Sequence, residues 1–218
     1  MKKVRLGVLV SGSGTNLQAI LDAAESGAID AEVAVVISNQ PEARALERAR
    51  AAGVPTQVIS HRDFPDRATF DGRVVAALCE ADAAYVVLAG FMRLVTPVLL
   101  DAFPWRVINI HPALLPAFPG VHAQRQALAY GVKIAGCTVH FVDAGTDSGP
   151  VIAQAAVPVL DGDTEESLGA RILAEEHRLL VSVLGAVAQG KVRVLPGIEG
   201  TRPRVLFEDA APSGRQPV

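Results

Sequence analysis

The chain has 218 residues and a formal net charge of −3; half of its residues are hydrophobic and only 5% are aromatic. This length fits one large domain or two small ones. The weak negative charge excludes a global field that would attract the protein to nucleic acid or anionic lipid, so a bound anion needs a local site. The dominance of alanine, valine and leucine is typical of α/β proteins, in which helices cover β-branched inner strands.

The two cysteines, Cys79 and Cys137, match neither a disulfide framework nor a metal-ligand spacing. We therefore expect reduced thiols in a cytoplasmic protein, and no metal. The charged N-terminus resembles the start of a signal peptide, but the apolar run that begins at Leu6 ends at Val10 and is too short for one. No window approaches the apolar length of a membrane span, which predicts a soluble protein.

Short apolar runs alternate with longer helical patterns along the first half of the chain. The runs predict strands at 4–10, 33–37, 55–59, 85–89 and 107–110. The helical patterns between them are the stripe of Leu17, Ile20, Leu21 and Ala24 and the segments 43–52 and 70–79. This order predicts a doubly wound, mostly parallel Rossmann-like sheet with helices on both faces. Ligands of such sheets bind beyond the carboxyl ends of the strands.

The pattern changes after His111. A proline-rich loop is followed by a predicted helix at 123–130 and by two strand-like runs, 134–142 and 151–157, which predict an antiparallel pair. A last long helix is expected to begin where Asp163 and Glu166 have the spacing of a capping box, and to end near Gln189. We assign residues 1–195 to a single domain and 196–218 to a C-terminal tail, a surface strand with a frayed end.

The first strand runs into Gly12-Ser13-Gly14-Thr15-Asn16, a glycine-rich turn that leads into a helix. Such a turn offers backbone N–H groups and the positive end of the helix dipole to an anion, so it predicts a phosphate site. It is not a dinucleotide fingerprint, because Leu17 replaces the third glycine and the second strand ends in Ser38-Asn39 rather than in an acidic residue. A tight turn with only a structural role is the alternative.

Asn109 and His111 lie two residues apart on a predicted strand, so they point to the same side of the sheet. Pro112 then ends the strand. An amide donor and a titratable imidazole side by side at the carboxyl edge can hold a carbonyl oxygen and move a proton. The alternative is a core histidine that bonds to the backbone.

The loop at 143–150 is rich in glycine and carboxylates and lies between the two strands of the predicted antiparallel pair. One of its acids can orient the imidazole of His111. Connections of this composition are also common in hairpins that have no further role. The loop alone therefore leaves both interpretations open.

Four blocks of the chain together resemble the folate-dependent glycinamide ribonucleotide formyltransferases. They are GSGTNLQAI at 12–20, LAGFMR at 88–93, NIHPALLP at 109–116 and DSGP at 147–150. Their order and spacing fit from about Lys3 to Gln189. The resemblance implies a cytoplasmic enzyme of purine biosynthesis that moves a formyl group from 10-formyltetrahydrofolate, its co-substrate, to the amine of 5-phosphoribosylglycinamide, without a metal.

The resemblance also implies roles for individual residues. The catalytic trio would be Asn109, His111 and Asp147. The phosphate and ribose of the substrate would contact Gly14, Thr15, Asn16, Leu173 and Glu176. The folate would contact Arg67, Met92, Arg93, Leu94, Val95, Asn109, Asp143, Ala144, Gly145, Thr146 and Asp147.

Two of these assignments have ordinary alternatives. Arg67 suits the acidic tail of the folate because a guanidinium recognises carboxylates, but it is otherwise an exposed helix charge. The stretch from Met92 to Val95 would hold the pterin, but an apolar stretch that contains methionine is usually core. The chain also departs from the family pattern at Ala117 and Phe118, where relatives often have a basic or aromatic pair, and at Leu173, which has no polar side chain.

Glu176 has support that is independent of the resemblance. Leu168, Ile172, Leu179 and Val183 form the apolar stripe of the last helix, and at about 100° per residue Glu176 falls inside that stripe. An inward-facing carboxylate needs a partner. Ribose hydroxyls or an internal arginine would both provide one.

Three other functions stay open. A formyltetrahydrofolate hydrolase would share the catalytic trio but use water, and it typically carries a regulatory domain that we do not expect here. A methionyl-tRNA formyltransferase would have a basic surface, against which the net charge argues. A nucleotide-phosphate binding module would bind ligands without turnover. We expect small-molecule partners only, with no nucleic acid and no membrane, and the sequence does not define an oligomeric state.

Overall fold

The computed structural model describes residues 3–198 and 201–207. Its main sheet has seven strands: β1 (Val4–Val10), β2 (Ala31–Ser38), β3 (Thr56–Val58), β4 (Tyr85–Leu88), β5 (Val107–His111), β6 (Ile134–Phe141) and β7 (Val151–Pro158). Their order across the sheet is β3-β2-β1-β4-β5-β6-β7. The first five strands are parallel, and β6 and β7 add an antiparallel pair. The predicted mixed sheet is confirmed.

The described residues also form one short 3₁₀ turn (His61–Asp63) and six helices, five between these strands and one after β7: α1 (Thr15–Glu25), α2 (Arg44–Ala51), α3 (Arg67–Glu80), α4 (Pro97–Ala102), α5 (Ala123–Tyr130) and α6 (Glu165–Ala188). Alternate residues of each strand point to opposite faces. On β1, Val8 and Val10 pack into the core under α1, α2, α5 and α6, whereas Leu9 packs under α3 and α4. Helices therefore cover both faces, as expected.

The strand order positions the site. After β1 the chain moves outward through β2 to β3, and then returns to place β4 on the other side of β1. The loops that follow β1 and β4 therefore lead away in opposite directions and leave a crevice at the carboxyl edge of the sheet. β5 ends at the same edge with His111.

The structure differs from the sequence expectations at the start of α6. The N-cap is Thr164, not Asp163, and its box partner is Ser167, whose backbone N–H donates to Thr164 Oγ1 at 3.2 Å. Asp163 is engaged elsewhere, because its carboxylate accepts from both guanidinium nitrogens of Arg171 at 2.8 and 2.9 Å. The capping box is thus shifted by one residue.

The sequence analysis expected one surface strand in the tail but missed α4, β8 (Val192–Leu195) and the separate sheet in which β8 pairs antiparallel with β9 (Arg204–Phe207). The second of these strands falls in the predicted tail, whose residues 199–200 and 208–218 lie outside the described part of the chain. The division into a domain and a tail stays a prediction. Among the described helices, none combines the length and the apolar character that a membrane span requires.

Candidate active site

A cleft of about 780 Å³ opens at the carboxyl edge of β4 and β5. Its walls come from the loop after β4, the end of β5 and the loop at 143–147. The lining includes His111 and all the residues for which the resemblance implied a folate contact: Arg67, Met92, Arg93, Leu94, Val95, Asn109, Asp143, Ala144, Gly145, Thr146 and Asp147. The structure therefore brings this predicted set together, although contact with folate stays a prediction.

The loop at 91–96 is held by contacts with α3, and two of its side chains, Phe91 and Val95, pack against the core on that face of the sheet. Asp71, which is 1% exposed, accepts from the backbone N–H of Thr96 at 2.6 Å, and burial raises the pKa of this carboxyl group. The guanidinium of Arg93 lies over the ring of Phe70, 5.3 Å from its centre. Met92 and Leu94 are 72% and 52% exposed and point away from the core, whereas Val95 packs against it.

Asn109 is positioned by a histidine on the neighbouring strand. The β5–β6 register places it opposite His140, and its Nδ2 atom lies 3.1 Å from Nε2 of that ring. His140 Nδ1 lies 2.9 Å from the carbonyl oxygen of Phe141. A carbonyl only accepts, so Nδ1 carries the proton and the neutral ring accepts at Nε2 from the Asn109 amide. Because an amide nitrogen has two N–H groups, one is left for a ligand in the cleft.

The environment of His140 favours this neutral form. Burial lowers the pKa of His140, and the nearby His111 adds to that effect, while the Phe141 carbonyl and the Asp147 carboxylate oppose it. Sequence analysis did not identify this residue. The available signal was the alternation in β6, where Thr138 and His140 are polar positions in an otherwise apolar strand.

His111 is held at both ring nitrogens. Its Nε2 donates to the carbonyl oxygen of Phe118 at 2.9 Å, and its Nδ1 lies 3.4 Å from Oδ2 of Asp147. The backbone bond was expected only of a core histidine, yet here it leaves the second nitrogen facing a carboxylate. Nδ1 is therefore the atom that can exchange a proton beside Asp147.

Asp147 lies between the two histidines, since its other oxygen is 3.8 Å from Nε2 of His140. It adopts a φ of 50°, a left-handed conformation that is uncommon for residues other than glycine. The backbone N–H of Gly120 donates to its Oδ2 at 2.7 Å. The loop also depends on Gly149, where a Cβ atom would lie 1.8 Å from the Phe141 carbonyl oxygen. The acid is thus placed by backbone geometry on both sides.

The predicted phosphate site is the N-terminus of α1. Gly14 is its N-cap residue, with a φ of 72° and no side-chain cap, so the first-turn N–H groups point outward without intrahelical partners. A Cβ atom at Gly14 would lie 2.6 Å from the Cβ of Ala45 on α2. Helix packing therefore requires glycine here in addition to any close approach of a phosphate.

Asn16 and Glu176 form a buried pair that joins α1 to α6. Asn16 Nδ2 donates to Glu176 Oε2 at 3.1 Å, and the two residues are 9% and 6% exposed. The internal arginine considered for Glu176 is not its partner. Burial raises the pKa of Glu176, and the bond from Asn16 opposes that effect. Asn16 Oδ1 is buried and has no hydrogen-bond partner in the described part of the chain.

These residues form a second region of the site. Gly14, Thr15, Asn16, Leu173 and Glu176 do not line the 780 Å³ cleft. Leu173 is half-buried, one turn before Glu176 on α6. Gly14, Thr15 and Asn16 are consecutive at the start of α1, and the bond from Asn16 joins them to Glu176, so amide donors at the helix end and an open acceptor at the buried pair lie on neighbouring elements.

No group of three or more histidine, cysteine, aspartate or glutamate side chains within residues 3–198 and 201–207 could hold a metal ion. Cys137 is buried, and this burial raises the pKa of its thiol to about 12. The thiol therefore stays protonated and unreactive near neutral pH.

The sequence profile of the formyl transferase family matches residues 4–184. The chain belongs to this family. It is 50% identical to the phosphoribosylglycinamide formyltransferase of Mycobacterium tuberculosis strain H37Rv, over 88% of each protein. It is 46% identical to the trifunctional purine biosynthetic protein adenosine-3 of Drosophila pseudoobscura pseudoobscura over 92% of this chain, but it spans only 15% of that longer protein.

Solved structures agree with this membership. Glycinamide ribonucleotide transformylase 1 from Symbiobacterium toebii superposes with a TM-score of 0.89 at 54% identity, over 95% of both chains. Phosphoribosylglycinamide formyltransferase from Anaplasma phagocytophilum superposes with a TM-score of 0.86 at 41% identity, over 97% of both chains. The formyl transferase fold thus covers nearly all of the chain.

Proposed function

We propose that this formyl transferase moves the formyl group of 10-formyltetrahydrofolate to the amine of 5-phosphoribosylglycinamide (GAR), giving formyl-GAR and tetrahydrofolate in purine biosynthesis. The observation that carries the proposal is the cluster of Asn109, His111 and Asp147 in a cleft lined by every expected folate contact. The similarity over most of the chain to enzymes named for this activity supports it. We place the reaction in the cytoplasm.

The chemistry is a direct acyl transfer. The GAR amine attacks the formyl carbon, a new C–N bond forms, and the carbonyl oxygen becomes an oxyanion. The free N–H of Asn109 donates to that oxyanion, and the positive charge of protonated His111 stabilises it. The C–N bond to the folate nitrogen then breaks. Protonated His111 gives its Nδ1 proton to that departing nitrogen, and the neutral ring then takes up the proton that the amine loses, which restores the charged ring beside Asp147.

The second region would hold the other end of GAR. The N–H groups that follow Gly14 bind the phosphate, and Asn16 Oδ1 and Glu176 accept hydrogen bonds from ribose hydroxyls. On the folate side, the segment 92–95 borders the pterin, and Arg67 meets the acidic tail. Holding both substrates in adjoining positions supplies much of the rate through proximity.

The experiment is an assay of purified protein with both substrates and with each omitted. We expect tetrahydrofolate and formyl-GAR to appear in equal amounts only when both are present, and His111→Ala to abolish both. Tetrahydrofolate formed without GAR would indicate a hydrolase. Binding of both compounds without turnover would indicate a binding module and would contradict the proposal.

A further inference from the structure

Ser11 joins the two sides of the crevice at the point where the strand order reverses. It follows directly after β1, and its backbone N–H donates to the carbonyl oxygen of Gly90 at 3.2 Å. In return, the backbone N–H of Met92 donates to Ser11 Oγ at 2.9 Å. Gly90 and Met92 lie in the loop that follows β4. One residue of the loop that follows β1 therefore makes two bonds to the loop on the other side of the crevice.

The hydroxyl of Ser11 has only one arrangement that makes all of its bonds. Its single proton is donated to Oδ1 of Asn39 at 2.6 Å, so the oxygen is free to accept from Met92. Asn39 follows β2, is 3% exposed and has its Nδ2 atom 3.3 Å from Nδ1 of His61. The bridge is thus anchored in a buried amide rather than in solvent.

The glycine-rich segment between β1 and α1 is also hydrogen-bonded to α2. The carbonyl oxygen of Gly12 accepts from the backbone N–H of Ala45 at 3.1 Å, and that of Ser13 accepts from Nε of Arg48 at 2.9 Å. Ser11 is therefore part of a short, restrained segment that ends at the N-cap of α1. A phosphate bound at this N-cap would restrict the remaining movement of the segment, and with it the movement of the hydroxyl that accepts from the Met92 N–H.

We propose that the Ser11 hydroxyl couples the two substrate sites, so that GAR and folate each raise the affinity of the protein for the other. The inference rests on the proposed function. Whichever ligand binds first orders both loops, and the second then loses less conformational entropy. Thermodynamic linkage requires that folate raises the affinity for GAR by the same factor as GAR raises the affinity for folate. Ser11 is a positioning residue in this scheme, since it acts on the folate through the backbone of Met92.

The test is calorimetric titration with GAR, with and without saturating tetrahydrofolate, which carries no formyl group and therefore cannot react. For the wild-type protein we expect tetrahydrofolate to lower the Kd of GAR about fivefold or more, the lower end of common coupling. In Ser11→Ala that ratio should fall close to one, while the Kd of GAR alone changes less. A merely structural role would instead weaken both titrations by a similar factor.

Two sets of variants control the result. Ser26→Ala removes a serine hydroxyl that bonds to the Asp22 carbonyl at the far end of α1, and it should keep the full ratio. Asn39→Asp keeps an acceptor for the Ser11 proton, so this variant should retain most of the coupling between the two ligands. Asn39→Leu removes that acceptor, so it should lose most of the coupling. This second pair tests the bridge without changing Ser11, should Ser11→Ala fold poorly.

The outcomes separate the two proposals. Equal coupling in wild type and Ser11→Ala overturns the role of the hydroxyl and leaves the proposed function standing. A wild-type protein that binds both compounds with no mutual effect does the same. A wild-type protein that binds neither compound contradicts the proposed function, and this inference with it.

Discussion

The proposed catalytic cluster, which consists of Asn109, His111 and Asp147 with His140 behind them, and the Asn16–Glu176 pair are both polar and largely buried, but different fractions of their polar atoms have hydrogen-bond partners. In the cluster, both ring nitrogens of His111 and of His140 have partners, and Asp147 accepts from a backbone N–H. In the pair, Asn16 Oδ1 has no partner in the described part of the chain, and burial of the Glu176 carboxyl group raises its pKa.

Under the proposed function, this difference distinguishes the residues that would catalyse the reaction from those that would bind the substrate. Bonds that are already made in the cluster fix the tautomers and the positions of the protons before any substrate arrives, which is the basis of electrostatic preorganisation. Acceptors that are left open in the pair favour a ligand that brings hydroxyl donors, and they reduce the stability of the free protein. Variants of the cluster should therefore change turnover, and variants of the pair should change binding and stability.

Asp147→Asn should have the largest effect. The amide keeps the size of the side chain and an acceptor for Gly120, but it removes the negative charge 3.4 Å from His111 Nδ1. We expect kcat to fall about 1,000-fold, within the usual range for a lost acid–base function, with a smaller change in KM for GAR. Steady-state kinetics with both substrates measures the two changes.

Asp143→Asn is the matched comparison in the same loop. Asp143 Oδ1 accepts from Gly145 N–H at 3.1 Å and from Ser148 Oγ at 2.7 Å, and its charge acts on His140 less than the charge of Asp147 does. We expect this variant to raise KM for the folate more than it lowers kcat. Equal losses of kcat in the two variants would mean that loop order, not the charge of Asp147, matters for the reaction.

Asn109→Ala should lower kcat about 100-fold or more, the usual scale for one donor to a developing oxyanion. The side chain lines the cleft, and within the described residues its one hydrogen bond is to His140, so folding should change little. Gln57→Ala, which removes an amide side chain on β3, is the control and should keep normal turnover. A fully active Asn109→Ala protein with unchanged unfolding temperature would remove this residue from the mechanism.

His140 should have a smaller effect, because it acts through Asn109. His140→Leu removes the acceptor for the Asn109 amide, and we expect kcat to fall about tenfold, equivalent to one hydrogen bond of ordinary strength. His140→Gln can place its carbonyl oxygen near the position of Nε2 and should retain most of the activity. Similar losses in both variants would indicate that the ring packs rather than positions.

His140 should also make the stability of the protein depend on pH. The pKa of His140 is lowered, so as pH falls below its ordinary value of 6.5 the unfolded chain takes up a proton before the folded one does. Stability is therefore lost as the solution becomes acidic. His140→Gln removes that contribution, and thermal unfolding of both proteins between about pH 5 and 8 should show a flatter acid side for the variant.

The parts of the fold that sequence reasoning predicted are those with strong periodicity. β1 was predicted at its observed bounds, and α5 likewise, because each is a short regular pattern between clear breakers. The six-residue α4 was missed because it is too short to show a helical period and begins at Pro97 after a loop. β8 was missed because its pairing partner lies nine residues further along, beyond Pro196 and Pro203.

The site was predicted unevenly for a similar reason. Asn109 and His111 could be paired from alternation on one strand, but His140 contacts Asn109 only through the β5–β6 register, which a single sequence does not specify. The bond from Asn16 to Glu176 joins residues 160 positions apart. Helical periodicity could show that Glu176 faces inward, yet it could not identify the residue across from it.

Glu176→Gln tests whether the buried carboxylate lowers the stability of the free protein while it strengthens the binding of GAR. Gln can still accept from Asn16 Nδ2, but it removes a carboxylate whose pKa is raised by burial. We expect the free protein to gain about 1 kcal/mol near neutral pH, equivalent to roughly 2–4 °C in Tm for a chain of this size. GAR should bind about tenfold more weakly, because a charged acceptor for ribose hydroxyls is lost.

The pH dependence and a neighbouring residue make this last expectation specific. A raised pKa means that ionisation favours the unfolded chain, so the cost is absent below the ordinary value of 4.5 and is complete above the raised one. The gain in stability from Glu176→Gln should therefore appear only as pH rises.

Glu175→Gln is the control. It removes an adjacent carboxylate that pairs with Arg178 at 3.0 Å near the surface, and such pairs contribute little to stability. Thermal unfolding across pH, with calorimetric titration of GAR, compares the two. A Glu175→Gln protein that gained as much stability, or a Glu176→Gln protein that gained equally at all pH values, would show that the burial of a charge is not the cause.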